Sequence, residues 1–86
     1  MNNGLPNWSP VVIQLQVLWC YLTRNPKNVI DTRDIEMMEI ALWSGNLEHI
    51  VNVRKCIYID ETNIIVDDQI MTEMGELLYE AVNHTV

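Results

Sequence analysis

"ALWSGNLEHIVNVRKCIYID" (residues 41–60) is the stretch whose reading decides the fold. It begins as the end of one apolar run, breaks at Gly45-Asn46 and continues as a second run. Glycine suits the left-handed residue that closes a helix, and asparagine caps the next one. Beyond the break, Leu47, Ile50, Val51, Ile57 and Tyr58 recur at helical spacing, interrupted by Arg54. At period two, Val51, Val53, Ile57 and Ile59 alternate instead, and "IYIDETNIIV" (57–66) reads as a β-hairpin turning at Asp60–Asn63. The helical reading, running to about Tyr58, makes residues 41–60 the middle of an antiparallel helical hairpin.

Upstream, "TRDIEMMEIALW" (32–43) follows Asp31, a capping residue, and carries acids in its first turn where the helix dipole favours them. Ile35, Met38 and Leu42 form its inward stripe, with Asp34, Glu36 and Glu39 facing out or flanking it. "NPKN" (25–28) separates this helix from an earlier one, because the residue before Pro26 resists the α conformation. The earlier helix starts at Ser9-Pro10, a cap followed by a proline at the first helical position. Val11, Leu15, Leu18, Trp19 and Leu22 lie on one face, but Ile13, Val17, Cys20 and Tyr21 are apolar too. Such a helix is central, or is sandwiched between its own domain and a partner. Residues 1–8, rich in Asn, Gly and Pro, read as a flexible arm ending at Trp8, which packs back on the domain. Downstream, a last helix follows Asp67 or Asp68, burying Ile70, Met74, Leu77, Leu78 and Ala81, with Gly75 marking a close approach. The expected fold is an all-α bundle of about four helices in a single domain, residues 9–86. The alternative is a winged-helix-like α+β fold with a hairpin at 57–66.

Eighty-six residues bury only a thin core, yet 49% of them are hydrophobic. The excess implies a very compact helical core or an apolar surface held for a partner. The net charge is −7, unevenly placed. Residues 1–30 hold Arg24 and Lys27 and no acid, whereas residues 31–86 hold 12 acids against Arg33, Arg54 and Lys55. That field repels phosphate, so nucleic acid and anionic membrane are not expected partners. In the winged-helix alternative the reading helix would be "NLEHIVNVRKC" (46–56), with only Arg54 and Lys55 to meet a backbone. No run reaches the length of a membrane span, and the N-terminus lacks the basic and apolar regions of a signal peptide. Cys20 and Cys56, isolated in apolar runs, read as reduced thiols in a cytoplasmic protein.

Catalysis needs convergent groups, and no recognisable spacing supplies them. His49 and His84 read as surface or tail residues. Cys56 lies two helical turns from His49, too far for a direct nucleophile–base hydrogen bond. Asp60-Glu61 with Asp67-Asp68 lacks the alternating ligands, central Gly and terminal Glu of a calcium loop, and reads as a solvated connector. The sequence predicts no enzyme, no metal site and no cofactor.

The run Gly45-Asn46-Leu47-Glu48, then Ile50-Val51, then Lys55-Cys56-Ile57 and Ile59-Asp60, resembles the second helix of a tetratricopeptide repeat. It departs from that pattern at Met38 and Ile50, where small residues are usual, and in lacking Pro after Asp60. With its size, acidity and apolar leading helix, the chain is similar to the tetratricopeptide-like chaperones of bacterial type III secretion, especially those that hold the needle subunit. The resemblance implies a helical groove that sequesters an amphipathic helix of a small client, often beside a second small co-chaperone. The expected partner-binding residues are Leu15, Trp19, Leu22, Met38 and Leu42. The competing expectation is a phage- or mobile-element-encoded inhibitor whose acids at 34, 36, 39 and 60–80 dock a basic, DNA-binding enzyme. A homo-oligomer would hide the same apolar excess.

Overall fold

The computed structural model describes residues 10–84 and consists of four α-helices: α1 (Pro10–Arg24), α2 (Thr32–Ser44), α3 (Leu47–Ile59) and α4 (Asp68–His84). The fold is an all-α bundle. The expected arm, Trp8 and the Ser9 cap lie outside the described residues. The α2 and α3 boundaries have local causes. Asp31 accepts a hydrogen bond from the Arg33 amide at 2.8 Å to start α2. Gly45, at φ 70°, closes it in the left-handed conformation while its N–H bonds the Ala41 carbonyl at 3.1 Å. Asn46 then accepts from the His49 amide at 3.1 Å and starts α3.

The β-hairpin of the alternative reading does not form. Residues 57–59 finish α3, and among the described residues the β structure is one antiparallel bridge, Val29 to Ile64. The alternation of Val51, Val53, Ile57 and Ile59 has another cause: Val53 and Ile57 face the core, Val51 lies at its margin, and Ile59 is a terminal exposed residue.

α1 packs mainly on α4 and α2 on α3, so chain neighbours in the two long connections are not the main packing partners. The chain is also an internal structural duplication. The unit α1–loop–α2 is repeated by α3–loop–α4, and the main hydrogen bonds of the loops recur at an offset of 35 residues (63 − 28). In the first loop, Asn25 Oδ1 accepts from the Lys27 amide at 3.0 Å; in the second, Asp60 Oδ1 accepts from the Thr62 amide at 3.0 Å. Asn28 Nδ2 donates to the Leu22 carbonyl at 2.8 Å, and Asn63 Nδ2 donates to the Ile57 carbonyl at 3.1 Å. Each asparagine then reaches across: Asn28 Oδ1 accepts from the Val66 amide at 2.7 Å, and Asn63 Oδ1 from the Asp31 amide. Between them, Val29 and Ile64 exchange backbone bonds of 2.8 and 2.7 Å. The two loops are thereby knotted into one polar end of the bundle, which holds the four helices around the core of Leu15, Leu22, Met38, Ile50, Met71 and Met74.

Two sequence expectations are corrected here. Asp34 does not face solvent: it is 7% exposed, with Oδ2 accepting from Asn63 Nδ2 at 2.8 Å. A carboxylate can lie there because the second loop brings a donor to it. Cys20 and Cys56 are free and exposed. On α4 the buried face is Met71, Met74 and Leu78, with Ile70, Leu77 and Ala81 only partly covered.

Candidate partner-binding surface

The five residues expected to meet a partner all lie in the core. Leu15, Trp19, Leu22, Met38 and Leu42 are each at most 3% exposed and belong to a single cluster. Two of them do more. Trp19 and Leu42 floor a groove of about 200 Å³ between α1 and α2, whose other walls are Gln16, Cys20, Glu39 and Trp43. Gln16 Nε2 ties the helices together at this groove by donating to the Leu42 carbonyl at 3.2 Å. The Trp19 indole N–H is buried without a partner among the described residues, an arrangement that costs about 1–3 kcal/mol.

Part of the apolar surface that the core does not use lies on the opposite face of α1. Ile13, Val17 and Tyr21 stand in a row at four-residue spacing and are exposed. Cys20 and Gln16 lie three residues on from Val17 and Ile13, so helical geometry leads from the row directly into the groove. Across it, Trp43 projects from α2 at 72% exposure, with Ile40 nearby on the same helix at 63%. The signal for this surface was in the sequence, in the all-round hydrophobicity of α1. What periodicity could not decide was which half of the circumference met the core.

The duplication builds a second groove from the same positions. Val51, Arg54, Lys55, Gly75, Leu78 and Tyr79 line a space of about 320 Å³ between α3 and α4, and they are the counterparts of Gln16, Trp19, Cys20, Glu39, Leu42 and Trp43. Where the first unit plugs the helix crossing with Trp19, the second uses Arg54. Its Nε and Nη2 both donate to the Met71 carbonyl, at 3.1 and 2.9 Å, and its guanidinium lies 4.9 Å from the Tyr58 ring centroid. Gly75 is the close approach expected from sequence, but the neighbour is this guanidinium: a Cβ there would lie 2.5 Å from Arg54 Nη2.

Polar chemistry elsewhere is dispersed. His49 and Cys56 are both exposed, and the His84 side chain lies outside the described set. Among the described residues no three His, Cys, Asp or Glu side chains converge as metal ligands. Each unit is a helix–loop–helix, yet the loops at 25–31 and 60–67 are shorter than the roughly 12 residues of a calcium loop and turn their oxygens onto backbone amides. Asp60 has its carboxyl held below the usual range, chiefly by the Thr62 amide and then by the Thr62 hydroxyl. The acids are otherwise little paired: among the described residues the one ion pair is Arg33 with Asp31, at 3.8 Å. Also among the described residues, no helix is long and apolar enough to cross a membrane. No protein-family model, no curated protein and no solved structure matches this chain.

Proposed function

We propose that this chain is a non-enzymatic, cytoplasmic protein-binding module that holds an amphipathic helix of a small partner, as the secretion chaperones it resembles do. One observation carries the reading. α1 has two apolar faces, and only the one through Leu15, Trp19 and Leu22 is needed to close the core. The other presents Ile13, Val17 and Tyr21 beside a groove rimmed by Trp43. Apolar anchors at i, i+4 and i+8, with a tryptophan across a shallow trough, are the complement of an amphipathic helix. Aromatic residues in such places carry a large share of binding energy.

The acidic surface favours a second reading, an inhibitor that docks a basic, DNA-binding enzyme. Twelve acids with one ion pair among the described residues leave a field that would attract such a partner. Capture of partners from host lysate, at low and high salt, separates the two. The module reading expects a small helical protein that is retained in high salt and is lost when Val17→Asp and Tyr21→Asp are introduced. Both positions are exposed, so the bundle itself is spared. A basic enzyme released by salt and indifferent to those substitutions would establish the acidic reading instead. Self-association abolished by the same substitutions would identify the partner as a second copy.

A further inference from the structure

We infer that the α3–α4 groove is a separate binding site for a small apolar monocarboxylate, of the fatty-acid type, independent of whatever covers α1. Its volume of about 320 Å³ lies at the lower end of small-ligand sites, which span roughly 300–1,000 Å³. Val51, Leu78, Tyr79 and Val82 supply an apolar lining. From Gly75 to Val82 the α4 wall is roughly 10 Å long at 1.5 Å per residue, the span of a straight alkyl chain of about eight to ten carbons.

Charge selects the head group. Residues 31–86 hold three cations, and two of them, Arg54 and Lys55, line this one groove. Arg54 is committed to the Met71 carbonyl and contributes its charge from the wall. Lys55 is exposed and has no ion pair among the described residues. A polyanionic peptide would meet the −7 field of the whole chain and also Glu76 and Glu80, which border the adjoining shallow surface with Arg54 and Tyr79. A single carboxylate meets least of that repulsion and matches one ammonium. The duplicated groove is a built-in control. It has the same leucine floor and aromatic rim, but Cys20 stands at the position of Lys55 and Glu39 at that of Gly75.

The test is a ¹H–¹⁵N titration of the full chain with sodium octanoate, with octan-1-ol as the uncharged probe. Saturable shifts at Val51, Lys55, Leu78, Tyr79 and Val82 are expected, without shifts at Trp19, Cys20 and Trp43. Lys55→Gln should weaken octanoate about two- to fivefold, the worth of one exposed charge pair, and leave octan-1-ol unchanged. Val82→Asp, at a half-exposed position, should abolish octanoate binding while the circular dichroism stays that of the parent. The inference is overturned by no saturable shift below the aggregation concentration of octanoate, by shifts confined to the α1–α2 groove, by octan-1-ol binding as tightly, or by an indifferent Lys55→Gln.

Discussion

Gly75→Ala has a sign that depends on one distant side chain. In the interior of an exposed helix the substitution normally stabilises by about 1 kcal/mol, because alanine loses less backbone freedom. Here the new Cβ would lie 2.5 Å from Arg54 Nη2 and 2.7 Å from Cζ, so the guanidinium has to move. Moving releases both bonds to the Met71 carbonyl and the stacking on Tyr58. Hydrogen bonds to charged groups contribute about 1.5–3 kcal/mol, and the low end applies because Arg54 is half-exposed and the Met71 carbonyl keeps its helical partner. A loss of about 2 against a gain of about 1 leaves Gly75→Ala about 1 kcal/mol less stable than the parent. In an Arg54→Ala background the obstruction is gone, and the same substitution should stabilise by about 1 kcal/mol. Urea unfolding of the four proteins of this cycle, followed by circular dichroism, should give a coupling of about 2 kcal/mol with unchanged m-values. Equal stabilisation in both backgrounds would refute the wedge and show that the guanidinium is free to leave.

Asn28→Ala and Asn63→Ala should each cost about 2–4 kcal/mol, since each removes three hydrogen bonds, two of which reach the other helix–loop–helix unit, whereas Val29→Ala, at an exposed position, should cost under about 0.5 kcal/mol. Thermal unfolding measures all three, and an asparagine variant as mild as Val29→Ala would sink the account of the loops. Trp19→Ala should cost about 3–5 kcal/mol, but Trp19→Phe under about 2, because the indole N–H that Phe removes had no partner. Equal losses for Phe and Ala, measured by urea unfolding, would show that this N–H is satisfied. Asp60 should titrate below its ordinary value of 3.8, and Thr62→Ala, which removes the hydroxyl bond and keeps the amide bond, should raise it only part of the way, both read from carboxyl carbon shifts by NMR. Because its folded value is the lower one, its stabilisation is complete above the unfolded value and is lost as pH falls through the folded one. A midpoint at or above 3.8 in the parent would contradict the bonding drawn for this turn.

The helices were legible because their ends are chemical: Asp31, Gly45 and Asn46 act locally, and each caps where its residue type says it should. The third helix was the ambiguous one, and what settled it was length, since Leu47 to Ile59 repeats at helical period over more than three turns. Asp34 was misread because its donor, Asn63, comes from the other loop and leaves no trace in the local pattern. The five expected contact residues were chosen for bulk and spacing, which are also what a core selects. Only the packing of α1 on α4 distinguishes its two apolar halves. Arg54 looked like an interruption of an apolar stripe because its partner is a backbone carbonyl 17 residues away.

The duplication escaped the sequence for a related reason. Identity between the units survives at Asn28 and Asn63, Ile30 and Ile65, Met38 and Met74, and Leu42 and Leu78. The offset changes by one residue within the second loop, which runs to Asp67 before α4 begins. Both loops need a side chain that donates to a helix-end carbonyl and accepts from an amide across the bundle, and asparagine offers both groups at that reach. At the helix crossings the demand is only that the space be filled. Trp19 fills one with an apolar plate and Arg54 fills the other by bonding a carbonyl, so with Lys55 in place of Cys20 and Gly75 in place of Glu39 the two grooves occupy equivalent positions but differ in volume and in electrical character. A duplicated bundle whose polar end is fixed and whose two grooves are free to diverge can keep one for an apolar helix and turn the other to a charged ligand. Neither change disturbs the loops that hold the four helices together.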